Sequence, residues 1–525
     1  MHKDGTKGTL LHWHDFRMKL IMESILVGFL AGGIVIAYRF AVDGAHRFSQ
    51  WAYATLHDNP TLIPLWLLFL VSGGLFIGWL IQQEPMASGS GIPQVEGVLL
   101  RKLNMRWGHV LAAKFLGGVV SICAGLSLGR EGPSIQMGAA VGMGFSRLFR
   151  QVKLEEKFLM TSGASAGLSA AFNAPIAGVM FALEEVHKNF SPIVMVSALA
   201  ASVAANFISG QFFGMKPVFN FRDFPVIPLR DYGYVLLLGI VMGLWGMLFN
   251  RSLLKAQDLY AKMPIPAGFK PVVGFLAAGA AGFYLPQILG GGHDVVESFS
   301  HALFPLQLTL TILAFKFLFT MVSYGTGAPG GIFLPLLVVG ALSGVAYGDV
   351  VSRLTGLEGF YVHTFMILAM AAYFTAIVKA PITGIILIVE MTGSFSHLLA
   401  IAVVCLTAYI VVEALDSPAI YEALLHRLLQ KGGPSFRGSP SSKVLIESAV
   451  CLGSIVDGRR VMDMDWPPRS LLVAIKRGAE EIIPKGDTVI HPGDYLIVLA
   501  NEDEAAEIRE CVSGISENFS EEQLQ

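Results

Sequence analysis

The sequence predicts an all-α polytopic membrane domain with broken helices, followed by a small soluble α+β domain. Three observations carry that expectation: a shortage of charge, a series of charge-free runs of spanning length, and a late return to soluble composition. Of 525 residues, 54% are hydrophobic and 14% charged, with a mean hydropathy of +0.60. A soluble domain carries about 25% charged residues, so the polar surface needed to coat a sphere in water is lacking. Lys+Arg 37 against Asp+Glu 39 gives a formal net charge of −2, which provides no basic excess for neutralising phosphates. These figures exclude a nucleic-acid binder, an ordinary cytosolic enzyme and a disordered chain.

Residues 1–19 are polar and unlike a signal peptide, so they read as a cytoplasmic juxtamembrane segment. His12 and His14 flank Trp13 but would not face each other on a helix, so no metal site is expected there. The four cysteines share no CxxC or CxxH spacing, which indicates neither a disulfide framework nor a zinc site. No Walker-type phosphate loop is present, and no cofactor is expected.

Residues 20–430 hold the charge-free runs: Thr61–Gln83, Phe158–Leu183, Asn189–Met215, Tyr232–Asn250, Pro271–His293, Phe317–Gly348, Gly359–Val378 and Met391–Val412. Each reaches or approaches the ~20 residues that a spanning helix needs. Gly-Pro clusters interrupt several of them, as in Ser323–Pro335. An unwound backbone at that depth must be buried in protein or line a wet cavity, because lipid cannot satisfy its polar groups. Broken spans therefore point to transport. The segment Ala174-Pro175-Ile176-Ala177-Gly178 recurs 206 residues later as Ala380-Pro381-Ile382-Thr383-Gly384, and the same offset pairs Glu184 with Glu390. Two related halves are common in secondary transporters; the match does not say whether they run parallel or inverted.

Three segments feed the start of an apolar run: Gly89-Ser90-Gly91-Ile92-Pro93, Gly129-Arg130-Glu131-Gly132-Pro133, and Gly327-Ala328-Pro329-Gly330-Gly331-Ile332-Phe333-Leu334-Pro335. Proline is tolerated in a first helical turn, and glycine lets backbone approach a ligand closely. Each segment reads as a loop entering a helix N-terminus, where free N–H groups and the dipole favour an anion. Neutral donors suit a transporter, since a fixed lysine would hold chloride too tightly to release it. A single such segment is an ordinary helix start; three in one membrane domain form a pattern. Glu131, inside the second, is expensive at membrane depth. Ionised, it can occupy the place an anion would take; protonated, it can leave, which links proton uptake to anion entry. Its plain alternative is a surface salt bridge with Arg130. Glu184 and Glu185 end a long apolar run, and the bland reading makes them caps of its cytoplasmic end. The sharper one makes Glu185 a proton acceptor with Glu96 as a buried partner. Lys114 reads by default as a snorkelling lysine.

GSGIPQVEG (89–97), GREGPSIQMG (129–138), GAPGGIFLP (327–335) and FALEE (181–185) resemble the signatures of the CLC family of chloride channels and proton-coupled chloride exchangers. The likeness runs from about Met22 to Gln430. It implies a homodimer in which each subunit has its own pore, built of two inverted halves. By that resemblance the Ser90 and Tyr421 hydroxyls and the N–H groups of Ile332 and Phe333 hold the anion, with Gly129, Arg130 and Gly132 around them. Glu131 is then the extracellular gate and Glu185 the internal proton-transfer residue, supported by Glu96 and Lys114. In channel members the internal glutamate is usually apolar, so Glu185 favours proton-coupled exchange over a passive voltage- or pH-gated channel. Serine at position 90 favours chloride over fluoride, with nitrate or bromide as further anions. The Pro418–Tyr421 spacing is one residue longer than in the bacterial exchangers. A bacterial inner membrane with both termini cytoplasmic follows. A sodium-coupled organic-anion transporter would also have broken helices. An enzyme is not expected, since no nucleophile–base pair or HExxH motif appears.

From Lys431 onward, 26 of 95 residues are charged. Glycine, proline and serine in 431–442 mark a linker. In 443–512, Leu471–Ile475 and Tyr495–Leu499 read as strands, Asn501 with Glu504 as a capping box, and Glu502–Val512 as a final helix. Residues 513–525 form an acidic tail. VAIKRGAEEIIPKGDTVIHPGDYLIVLA (473–500) resembles the C-terminal RCK (TrkA-C) subdomain of bacterial ion transporters, which implies regulation by a small ligand such as a cyclic dinucleotide, or dimer stabilisation.

Overall fold

A computed structural model describes residues 3–430 apart from 220, 222, 223 and 358, and 443–517 apart from 479, 502 and 503; for 3–15 and 360 it describes backbone only. The linker 431–442 and residues 518–525 lie outside the described residues. The chain divides into two compact units, a large one ending at Gln430 and a small C-terminal one.

The first half of the large unit contains helices α1 (Lys3–Asp58), α2 (Ile63–Gln83), α3 (Ile92–Leu99), α4 (Trp107–Cys123), α5 (Glu131–Leu148), α6 (Lys153–Phe172), α7 (Pro175–Phe181) and α8 (Pro192–Phe213). The second contains α9 (Tyr232–Lys262), α10 (Lys270–Tyr284), α11 (His293–His301), α12 (Leu306–Gly325), α13 (Phe333–Thr355), α14 (Val362–Val378), α15 (Pro381–Thr392), α16 (Leu398–Ala414) and α17 (Ile420–Gln430). Seven of the described helices are long and apolar enough to cross a membrane. Side chains such as Leu68, Phe207, Leu318 and Ile410 are more than half exposed on them, a surface that water does not tolerate over so wide an area. Helix α1 runs unbroken from Lys3 through the polar start into a stretch long and apolar enough to cross a membrane.

The apolar runs break where the sequence places proline. Phe158–Leu183 divides after α6, where Asn173 is left-handed (φ +53°) and Ala174 is held at φ −125°, ψ +79° ahead of Pro175. The second half repeats this: Lys379 is left-handed (φ +63°) and Ala380 sits at φ −117°, ψ +79° ahead of Pro381. Proline excludes the helical conformation from the residue before it, so the repeated Ala-Pro is a repeated helix break. Helices α5 and α6 pack backbone to backbone. A Cβ at Gly138 would lie 2.0 Å from the Gly163 carbonyl oxygen, and one at Gly163 equally close to that of Gly138.

Glu184 does not cap its own helix. Its carboxylate accepts hydrogen bonds from the N–H groups of Ile382 (3.2 Å) and Thr383 (2.7 Å) at the start of α15. Glu390 returns the contact, accepting from Ile176 (3.1 Å) and Ala177 (2.7 Å) at the start of α7. Gly129 and Gly331 also form an antiparallel bridge, with reciprocal N–H to carbonyl distances of 2.7 and 2.8 Å. Such reciprocity between equivalent residues is what a two-fold relation between halves produces.

The small unit is an antiparallel sheet of four strands, β1 (Lys443–Ala449), β2 (Ser470–Arg477), β3 (Glu480–Ile482) and β4 (Tyr495–Asn501), in the order β1-β4-β2-β3. Helix α18 (Ala505–Glu517) closes one face, packing its Ile508 and Val512 against Ile446 and Val498. This helix runs further than the expected Glu502–Val512, of which residues 502 and 503 lie outside the described residues. The expected capping box takes another form: the Asn501 amide donates to the Glu504 carboxylate (3.1 Å), which Arg469 also holds.

Candidate functional site

The loop carrying Ser90 turns through two left-handed glycines, Gly89 (φ +60°) and Gly91 (φ +92°), a conformation that costs glycine little. Lys114 lies beneath it. Rather than snorkelling, its ammonium is fully buried and donates to the carbonyls of Ala87 (2.8 Å) and Gly89 (2.7 Å). Ser90 is buried at 1% exposure, and its hydroxyl has no hydrogen-bond partner.

Glu131 is the first residue of α5, with no exposed surface and no hydrogen-bond partner for either carboxylate oxygen. The surface pair with Arg130 does not form; Arg130 donates instead to Asp43 at 2.7 Å. The glycines on either side leave room for the acid. A Cβ on Gly129 would lie 2.2 Å from Glu131 Oε2 and 3.2 Å from the Leu334 nitrogen. One on Gly132 would lie 2.4 Å from the Ser90 hydroxyl. The carboxylate therefore stands between the first turn of α5 and that of α13, where Ile332 is the N-cap and no side chain caps the helix.

Tyr421 joins this group despite its unusual spacing. It is fully buried, its hydroxyl has no hydrogen-bond partner, and it is turned toward Ser90. Its ring meets Phe181 edge-on at 6.3 Å, and Phe181 in turn meets Phe333 at 5.8 Å. Tyr324, which the sequence reading did not single out, brings its hydroxyl to the Ser90 backbone; a Cβ on Gly89 would lie 3.3 Å from it. Nothing short-range in the sequence ties Tyr324 to that loop.

Glu185 is buried in a single π-helical turn, Ala182–His187, and its Oε1 has no hydrogen-bond partner. Lys188, left-handed at φ +52°, ends that turn and forms a 2.8 Å ion pair with buried Glu96. Glu185 thus sits in the field of a Lys188–Glu96 pair and of Glu422. Lys114 belongs to the Ser90 loop. Among the described residues no group of three His, Cys, Asp or Glu side chains could hold a metal ion.

Taken together, Ser90, Gly129, Glu131, Gly132, Phe333 and Tyr421 form a buried site of helix N-termini, partnerless hydroxyls and one carboxylate. Such a site can hold a small anion through neutral donors and exchange it against an acid. This is the equipment of a multi-pass ion-transport protein. Residues 73–413 match the family described as voltage gated chloride channel, and the chain belongs to that family, an integral membrane one. Residues 445–512 match the TrkA-C domain. The chain is 37% identical over 428 residues to the H(+)/Cl(-) exchange transporter ClcA of Vibrio cholerae, covering 78% of this chain and 90% of that protein. It is 34% identical to ClcA of Yersinia pseudotuberculosis, covering 82% and 92%. Among solved structures, a slow cyanobacterial Cl-/H+ antiporter superposes with a TM-score of 0.75 at 31% identity, covering 79% of this chain and 98% of that one. A CLC-type fluoride/proton antiporter shares the fold at 24% identity, with a TM-score of 0.64 and coverage of 77% and 97%.

Proposed function

We propose that this chain exchanges chloride for protons across a membrane, driven only by the gradients of the two ions. The observation that carries this reading is the pair of buried, partnerless hydroxyls, Ser90 and Tyr421, on one side of a buried carboxylate at two helix N-termini. A buried polar group without a partner costs about 1–3 kcal/mol; a bound anion would offset that by accepting from both hydroxyls and from the N–H groups of Ile332 and Phe333. Ionised Glu131 competes for the same positive helix ends. When it takes up a proton, that attraction is lost and the anion can advance. Proton and chloride therefore alternate at one place. Glu185, off the anion path, passes protons to the opposite side, with the Lys188–Glu96 pair setting the local field.

The relatives named as exchangers, together with the acid at position 185, favour this over a passive channel. Nitrate and bromide should also pass, because neutral donors discriminate weakly among such anions. A sodium-coupled organic-anion transporter would need a sodium site and room for a carboxylate. The chain works as a homodimer in a bacterial inner membrane, with both termini in the cytoplasm and a TrkA-C unit that takes a small regulatory ligand or stabilises the dimer. It is a transporter and not an enzyme. Proteoliposomes with an imposed chloride gradient and a pH electrode test the proposal. Chloride-driven proton movement, and a reversal potential that shifts with pH, are expected. A reversal potential that follows chloride alone would make the protein a channel.

A further inference from the structure

A second buried lysine plays no part in the exchange just described. Lys316, on α12, has no exposed surface, and its ammonium donates to the carbonyls of Ile288 (2.9 Å) and Gly290 (2.7 Å). Among the described residues no carboxylate lies within ion-pair distance of it. A lysine so deep needs a strong reason to be there.

The reason emerges when the two halves are laid side by side. Lys114 donates to Ala87 and Gly89 at 2.8 and 2.7 Å; Lys316 does the same one half later. Each loop follows a short helical turn, Pro85–Ala87 in one and Pro286–Ile288 in the other. Left-handed glycines stand at matching places: Gly89 and Gly91 at +60° and +92°, Gly290 and Gly292 at +59° and +88°. The tethers match as well, since Gly89 N–H donates to Gly327 at 3.0 Å and Gly290 N–H to Gly125 at 3.1 Å. Each loop leads into a short helix, α3 or α11. The second loop also lies beside the gate: Gly291, Gly292 and His293 line a cavity of about 130 Å³ together with Arg130, Glu131 and Leu334.

We propose that Lys316 is a positioning residue for the outer lip of the anion path, holding the Gly290–Gly292 loop as Lys114 holds the Ser90 loop. The proposal rests on the exchange reading above and adds to it a named element on the side of Glu131. The physics is the same at both lips. A loop beside an anion path must keep the negative ends of its peptide dipoles turned elsewhere. Left-handed glycines flip the peptides, and the lysine Nζ fixes two carbonyls by donating to both. The halves differ at one atom that matters: Ser90 is matched by Gly291, so the outer lip has no hydroxyl. It therefore presents backbone and a rearranging carboxylate, where the inner lip presents a hydroxyl.

The test uses full-length protein at one transporter per vesicle. Vesicles are sorted by capture on a C-terminal tag, so that chloride can be varied separately on the tail side and on the side opposite. Lys316→Met should raise the apparent KM for chloride about five- to tenfold on the side opposite the tail, leaving the tail-side KM and the proton-to-chloride ratio unchanged. Lys114→Met should give the reverse pattern. Should Lys316→Met fail to fold, Gly290→Ala strains the same loop with the lysine in place and should shift the same side by a smaller factor. Equal shifts on both sides, or wild-type kinetics in both variants, would overturn the proposal. Failure of the exchange reading is seen separately, as a pH-independent reversal potential in the unsubstituted protein.

Discussion

Glu131 and Phe333 hold equivalent places in the two halves. Each is the first residue of a buried helix, and each lies two positions after one of the glycines that bridge the halves, Gly129 and Gly331. The backbones agree closely, down to the lysines beneath the loops and the left-handed glycines within them. The side chains do not: one helix starts with an acid and the other with an aromatic ring; one loop carries a hydroxyl and the other none. A duplicated backbone thus supplies a cradle of helix ends from both sides, and the chemistry is confined to what each half adds. On the proposed reading, the anion takes the shared helix ends together with the hydroxyls of Ser90 and Tyr421. On the same reading, coupling to protons takes the half that bears the acid.

That division can be broken most directly at Glu131. Glu131→Ala leaves the helix ends, Ser90 and Tyr421 in place, so chloride flux should continue while chloride-driven proton movement falls to the vesicle leak. Flux should also lose its dependence on pH, as measured by chloride efflux and a pH electrode on the same vesicles. Retained proton pumping would show that the acidic half is not the coupling half. Glu185→Gln is the next test. Proton flux should drop by roughly 100-fold, the scale of a lost acid–base group, with chloride flux little changed. If both fluxes fell together, Glu185 would be a structural residue of the π-helical turn.

Much of this arrangement was legible in the sequence, because the signals were local. Charge-free runs marked several spans, though not α1, which carries Glu23 and Arg39, and Gly-Pro segments gave the starts of α3, α5 and α13. The Ala-Pro repeat marked two breaks whose cause is the steric demand of proline. The 206-residue offset even paired Glu184 with Glu390, although each caps the other's repeat and not its own helix. The less legible features depend on partners far apart in the chain. Lys114 looks like a snorkelling lysine until its carbonyl acceptors are seen, and Lys316 sits within an apolar helix. The Gly290–Gly292 loop has no serine or proline to draw attention to it. Strands β1 and β3 were missed for a related reason: β3 is three residues long, and β1 pairs with β4 across more than 40 residues.

The small C-terminal unit belongs to neither half and provides a control with its own pH dependence. Burial opposes ionisation of Asp494, but the Arg477 guanidinium, donating twice at 2.8 Å, and the His491 N–H at 2.9 Å outweigh it and hold the carboxyl below the usual range. A carboxyl depressed in the folded state stabilises the fold above its unfolded pKa of about 3.9, and that contribution is lost as pH falls through the folded value. Asp494→Asn should remove about 1–2 kcal/mol at neutral pH, less than a fully buried pair because Arg477 is partly solvated. Hydrogen exchange of β2 and β4 in the full chain, corrected for intrinsic rates, measures it. Protection should fall in the variant at pH 7 and in the parent only under acid; an unchanged variant would mean that the ion pair does not hold the turn.

The smallest expected effect tests how nearly equal the halves are. Glu184 accepts from two backbone N–H groups and also from the Thr383 hydroxyl at 2.7 Å, whereas Glu390 faces Ala177, which has no hydroxyl to give. Both carboxylates cap helices whose first turns would otherwise leave donors unpaired. Losing such a cap costs about 0.5–2 kcal/mol, and the count of donors sets the order. Glu184→Ala should lie near the upper end, since it also strands the hydroxyl of fully buried Thr383, and Glu390→Ala near the lower. The double variant should lose close to the sum, because each acid serves a different helix. Denaturant titration in detergent micelles would show equal costs if the extra hydroxyl were idle. A double variant no worse than either single would mean that the two caps act as one latch across the two-fold axis.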